Sequence, residues 1–119
     1  MVQFDSTSLD ASFAALSDAT RRGVLAKLGR ADASITSLAD QFHMTLTGMK
    51  KHVQVLEKAG LVTTEKVGRV RTCRLGEGGL AAEAEYIDAQ RRLFEARFAA
   101  LDAIIDELKQ EEENGSASD

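Results

Sequence analysis

The stretch from Thr36 to Leu61, TSLADQFHMTLTGMKKHVQVLEKAGL, constrains this chain more than any other. Its apolar residues follow two helical registers with a break between them. Leu38, Ala39 and Phe42 lie at i, i+1 and i+4, which gives a first helix one apolar face, with Thr36 as the expected N-cap. His43-Met44 is the break, and His43 is expected in a left-handed conformation. Thr45 is expected to cap a second helix, on which Met49, Val53 and Leu56 recur at i, i+4 and i+7. Thr47, Lys50, Lys51, Gln54 and Lys58 fall on the opposite face, and Gly60 stands at the C′ position that ends such a helix. An ordinary amphipathic surface helix would carry the same stripe, so the flanking sequence must decide what this one is for.

Downstream of Gly60, Val62, Thr64 and Lys66 alternate with Leu61, Thr63 and Glu65. Beyond Val67-Gly68-Arg69, Val70, Thr72 and Arg74 alternate with Arg71, Cys73 and Leu75. Dense β-branched residues around a Gly-containing loop read as a β-hairpin. Its tip carries Lys66 and Arg69, with Arg71 and Arg74 further down. A two-stranded hairpin is not stable alone and must pack on the helices. A short helix with a buried stripe and a basic outer face, followed by such a hairpin, has the chemistry of a unit that enters a DNA major groove. The hairpin is then a wing.

Upstream, residues 1–8 read as a flexible N-terminus. Leu9, Phe13 and Leu16 at i, i+4 and i+7 predict a short first helix. Asp18 is expected to cap a second, from Ala19 to Gly29, that buries Val24, Leu25 and Leu28. Arg21 and Arg22 sit in its first turn, where cations oppose the helix dipole. They imply a partner outside the helix, a salt-bridging acid before a phosphate. Residues 29–34 read as a polar loop. After Gly76, Gly78 and Gly79, a long helix is expected from about Leu80 to Lys109, roughly 45 Å at 1.5 Å per residue. Its stripe includes Ile87, Phe94, Phe98, Leu101 and Ile105. A small domain cannot cover a stripe of that length, so a second copy of the chain is the expected cover, with the 9–16 helix sharing the interface. The sequence thus divides into a flexible 1–8, one domain over 9–109, and a disordered acidic tail over 110–119.

The 119 residues carry 15 Lys and Arg against 19 Asp and Glu, a net charge of −4 that argues against a nucleic-acid partner only if it is spread evenly. It is not. Residues 18–75 hold 11 bases and five acids, whereas residues 76–119 hold four and 12. The phosphate backbone feels the local field, and the basic centre supplies one. A single cysteine allows no internal disulfide and suits a reducing cytosol. No signal-peptide pattern and no apolar run of membrane-spanning length is present, so a cytoplasmic protein without membrane partners is expected. No Ser/His/Asp or Cys/His set and no phosphate loop points to an enzyme. Cys73, His43 and His52 are too scattered to give the three or four convergent ligands of a transition-metal site. No cofactor is expected. Cys73 reads as small apolar filler, and His52 as a structural hydrogen-bonding group on the flank of its helix.

Three segments carry a family resemblance: ALSDATRRGVLAKL at 15–28, SLADQFHMTLTGMKKHVQVLEKAGLV at 37–62 and VGRVRTCRL at 67–75. With them the chain resembles the ArsR/SmtB winged helix–turn–helix regulators over roughly Phe13 to Leu108. The resemblance implies a mainly α fold with a small β-hairpin, dimerising through its N- and C-terminal helices. It implies a homodimer on a near-palindromic operator that represses transcription, usually of its own operon. The positions matching the family's base-reading face are Leu46, Thr47, Lys50 and Lys51, with Thr45 capping and touching phosphate. Gly48 would allow close backbone approach. Gln54, Lys66, Arg69 and Arg71 complete the expected DNA surface, Arg69 in or beside the minor groove. The chain also departs from the family. The paired cysteines of its metal sensors are missing from SLADQF, and the 80–109 helix has no His, so the expectation is a branch without metal control. Ala19 stands where a Pro is common, His43 replaces the usual turn Gly, and Cys73 replaces a frequent aromatic residue. The alternatives are a ligand- or thiol-responsive sensor of the same fold, or a winged-helix protein-interaction module.

Overall fold

The structure, a computed structural model, describes residues 6–117. The elements run α1 (Ser6–Leu16), α2 (Ala19–Leu28), β1 (Ala33–Ser34), α3 (Ile35–Gln41), α4 (Leu46–Lys58), β2 (Val62–Val67), β3 (Val70–Leu75) and α5 (Ala81–Ala117). The chain forms two compact units that divide after Glu83.

In the first unit, α2, α3 and α4 each start at a side chain that satisfies a free amide of the first turn. Asp18 Oδ2 accepts from the Arg21 amide at 3.0 Å, and Thr45 Oγ1 accepts from that of Gly48 at 3.0 Å. For α3 the cap is Ser34, whose Oγ accepts from the Ser37 amide at 3.0 Å, and not Thr36. The helix starts earlier than the apolar spacing suggests because Ile35, its first residue, already belongs to the core. His43 closes the turn between α3 and α4 with φ 53°, as its place in the sequence predicts. Gly60, at φ 77°, follows the C-cap Ala59 and turns the chain out of α4.

The hairpin pairs Val62 with Leu75 through to Val67 with Val70, leaving Gly68-Arg69 as the loop. Gly68 takes φ 65°, which suits the tight two-residue turns that match strand twist. A third strand, unforeseen in the polar loop, is added at the other edge. β1 pairs antiparallel with β3, Ala33 opposite Cys73 and Ser34 opposite Thr72, giving the order β1-β3-β2. The core beneath is made of Val24, Leu28, Ile35, Leu38, Met49, Val53, Leu56, Leu61, Val62 and Cys73, all buried. Gly76 has a steric reason to be glycine. Its amide donates to the Leu61 carbonyl at 2.9 Å, and a Cβ there would collide with the Gly60 carbonyl oxygen.

α1 begins at Ser6, so residues 6–8, expected to be frayed, are helical; residues 1–5 lie outside the described part. Leu9 is only 8% exposed in the single chain and adds no free apolar area to that helix. Phe13 and Leu16 are half-buried.

The second unit is helix α5 from Ala84 onward. It does not stop near Lys109 but continues through the acidic run to Ala117, so the expected disordered tail is helical over 110–117. Glu111, Glu112 and Glu113 are good helix formers, and no proline interrupts them. Asp88 pairs with Arg91 at 2.6 Å and with Arg92 at 3.5 Å along the same helix. The apolar stripe of α5 is open, from 39% exposure at Leu101 to 65% at Phe98.

Candidate nucleic-acid interface

α4 is held by one face. Met49, Val53 and Leu56 are at most 2% exposed, which fixes the rotation of the helix and turns Thr47, Lys50, Lys51, Gln54 and Lys58 outward. Leu46, the first residue of the helix, is 43% exposed. Gly48 lies beneath this surface, where a Cβ would sit 3.1 Å from the capping Thr45 Oγ1 and 3.3 Å from Met44 Cε. A side chain there would crowd the cap that starts the helix.

The wing and α4 enclose two adjoining clefts. One, of about 540 Å³, is lined by Leu46, Lys50, Lys66, Arg69 and Arg71 among others. The second, of about 340 Å³, is lined by Lys50, Gln54, Glu57, Thr64 and Arg71 among others. The fold therefore gathers six of the ten residues singled out in the sequence into one groove. Thr47 and Lys51 lie on the exposed outer face of α4, and Thr45 and Gly48 form the cap behind it.

The cations of this region differ in how they are held. Lys50, Lys51, Lys66 and Arg69 make no ion pair among the described residues. Arg71 donates to Thr64 Oγ1 at 2.9 Å, and the Thr64 hydroxyl donates to Glu57 Oε2 at 2.7 Å. That relay straps the wing to α4. Nothing in the sequence points to Glu57 and Thr64, because only the fold brings them together, seven residues apart on helix and strand. Arg74 faces Glu65 at 3.4 Å and Asp32 at 3.7 Å, so its charge is answered within the protein.

Arg21 and Arg22 serve neither a salt bridge nor the groove. Arg21 donates through Nε to the Ala15 carbonyl at 2.8 Å and through NH2 to that of Ala14 at 3.1 Å; Arg22 donates to the Leu16 carbonyl at 2.8 Å. They bind the carbonyls of the last turn of α1, where the helix dipole favours a cation. His52 makes the internal hydrogen bond expected of it, its Nδ1 lying 3.2 Å from Arg21 NH1. The Asp18 carboxyl is held below the ordinary carboxylate value of 3.8, chiefly by the Arg21 amide that donates to it, which outweighs the opposing effect of burial. Cys73 is fully buried as filler, and burial pushes its thiol up to about 11. At neutral pH so little thiolate forms that the group is a poor nucleophile. Among the described residues no three His, Cys, Asp or Glu side chains gather as metal ligands. No helix there is long and apolar enough to cross a membrane.

A helix–turn–helix whose second helix is flanked by a β-hairpin on a small antiparallel sheet defines a winged helix–turn–helix, a DNA-binding fold. A family model described as a helix-turn-helix domain matches residues 16–65. The HTH-type transcriptional regulator Rv2034 of Mycobacterium tuberculosis is 32% identical over 75 residues, which span 63% of this chain and 70% of that protein. A crystal structure of an ArsR family transcriptional regulator is 39% identical with a TM-score of 0.73, over 80% of this chain and 97% of that one. An ArsR-like regulator from Rhodococcus sp. RHA1 is 37% identical with a TM-score of 0.72, over 82% and 92%. The chain belongs to the ArsR family of transcriptional regulators. Family and fold are those of DNA-binding regulators and not of enzymes.

Proposed function

We propose that this regulator is a homodimeric repressor that binds a near-palindromic operator, regulates its own operon and works without metal control. The observation that carries the reading is the groove between α4 and the wing, where Lys50, Lys66 and Arg69 are gathered and make no ion pair among the described residues. In this reading Lys50 and Lys51 reach phosphates or the O6/N7 edge of guanine, and Leu46 meets a thymine methyl. Thr47 and Gln54 extend the base-reading face. Thr45 touches phosphate, and Gly48 lets the backbone come close. Lys66 and Arg71 follow the phosphate backbone, and Arg69 enters or skirts the minor groove.

The second subunit covers the open stripe of α5 at Ile87, Phe94, Phe98, Leu101 and Ile105, together with Phe13 and Leu16 of α1. A homodimeric winged helix-turn-helix domain from Mycobacterium bovis shares the fold at 21% identity and a TM-score of 0.60, over 78% of this chain and 94% of that one, which makes such an assembly reasonable. Absence of metal control is supported by the composition of the helices. α3 has no cysteine and α5 no histidine. The buried, weakly acidic Cys73 speaks against a thiol sensor. A DNA-bound regulator of this kind works in the cytoplasm, at the nucleoid.

The test is fluorescence anisotropy of the protein on DNA from upstream of its own gene, against a scrambled duplex, at two salt concentrations. Tight, sequence-selective binding that weakens steeply with salt is expected. Equal weak binding to both duplexes would overturn the autoregulatory reading.

A further inference from the structure

Arg21 and His52 stand apart from the groove, since neither lines the clefts between α4 and the wing. They are joined to each other and to three helices. Two nitrogens of the Arg21 guanidinium hold carbonyls in the last turn of α1, those of Ala14 and Ala15. The third, NH1, lies 3.2 Å from His52 Nδ1 on α4. The Arg21 amide is bound by Asp18, the N-cap of α2, whose Oδ2 is 3.9 Å from the same His52 nitrogen. An arginine always donates, so His52 Nδ1 accepts and the ring carries its proton on Nε2. The geometry is a rigid fork with one prong on the recognition helix and two on the end of α1. Both ends matter to the proposed dimer, because α1 is assigned to the subunit interface and α4 to the DNA.

We infer that Arg21 and His52 are positioning residues: they lock α4 to the end of α1 and thereby set the half-site spacing that the dimer accepts. This rests on the dimeric, operator-binding reading above. One base pair inserted between half-sites moves the second by roughly 3.4 Å and turns it by about 34°, from a helical repeat of 10–10.5 base pairs in 34–36 Å. The buried face of α4 keeps the helix on the domain in every variant, and the fork adds a second hold at its flank. A dimer with both holds resists that displacement more than one that has lost the fork. The effect falls on spacing and leaves each half-site interaction intact, because the groove side chains are unchanged.

The experiment uses the full chain and duplexes carrying two copies of the half-site footprinted in its own upstream DNA. Spacing is native, one base pair longer or one shorter, and a single half-site serves as control. His52→Leu removes the acceptor but leaves Arg21 on the α1 carbonyls. His52→Asn returns an acceptor near the Nδ1 position. Arg21→Lys keeps a cation for α1 but gives up the fork. Wild type and His52→Asn are expected to lose about tenfold in affinity on each altered spacing, the cost of a single mismatched base pair. His52→Leu and Arg21→Lys are expected to lose less than about threefold, with unchanged binding to the single half-site. If both retain the wild-type spacing penalty, the inference is overturned. If His52→Leu does not fold, Arg21→Lys decides alone. A wild-type protein indifferent to spacing overturns the dimeric reading itself, and the inference with it.

Discussion

α4 and α5 are both amphipathic helices, yet their apolar faces meet opposite fates. On α4, Met49, Val53 and Leu56 are at most 2% exposed. On α5, Phe94 and Phe98 are 64% and 65% exposed, and Ile87, Ile104 and Leu108 are all above half. The two stripes obey the same helical spacing, so the pattern says only that a face wants cover. It does not say where the cover comes from. For α4 it comes from α2, α3 and the wing of the same chain. For a helix of 37 residues no comparable partner exists within the first unit, whose longest helix has 13. In the proposed assembly the face that holds α4 in place is a stability element, and the face of α5 is an association element.

The sharpest way to break this contrast is to change one side chain on each face. Leu56→Ala is expected to destabilise the protein by about 2–5 kcal/mol, the usual cost of a core cavity, read as a fall in the urea midpoint. Phe98→Glu should leave the first unit folded by circular dichroism. It should convert a dimer to a monomer in sedimentation velocity at micromolar concentration, and with it lose operator affinity. A Phe98→Glu protein that stays dimeric would remove α5 from the interface.

The outer face of α4 gives a smaller effect. Lys51→Ala and Arg69→Ala should each weaken DNA binding and lower the slope of log affinity against log salt by about one unit for each phosphate no longer neutralised. Unchanged affinity in both variants would separate the groove from the DNA. Smallest is the acid response of the unit that holds α4. The Asp18 carboxyl is held below its ordinary value by the Arg21 amide, so its charge stabilises the fold at neutral pH. That contribution is complete above the unfolded-state value and disappears as the pH falls through the lower folded-state value. Asp18→Asn keeps a capping oxygen but not the charge. The gap in urea midpoint between wild type and Asp18→Asn should be flat above about pH 5 and close in more acidic solution. A gap that persists unchanged to about pH 2 would contradict the assignment.

How much of the fold and site is legible in the sequence follows from the range of each interaction. The caps at Asp18 and Thr45, the left-handed His43 and the terminating Gly60 depend on neighbours within four residues, so the sequence carries them openly. The α3 cap lies two residues before the expected Thr36, because the burial of Ile35 beneath the sheet is not a local property. β1 is invisible in the sequence: two residues in a polar loop form a strand only because β3 offers them a free edge. The first-turn placement of Arg21 and Arg22 correctly implies partners outside their helix. Those partners are backbone carbonyls of α1, which side-chain chemistry alone does not suggest. The candidate site divides the same way. Its cations are readable as an uneven charge distribution, but the Glu57–Thr64–Arg71 relay exists only where α4 passes the wing.

The sequence by itself determined the order of helices and hairpin, the face that α4 buries, the basic centre of the chain and the family. Each is written in periodicity, in local capping chemistry or in motif words. Only the tertiary structure decided which cations stay unpaired, which are consumed by Glu65, Asp32 or the end of α1, and which residues bridge the wing to α4. Those outcomes depend on distances between segments remote in the chain, and such distances are fixed by packing and not by spacing along the sequence.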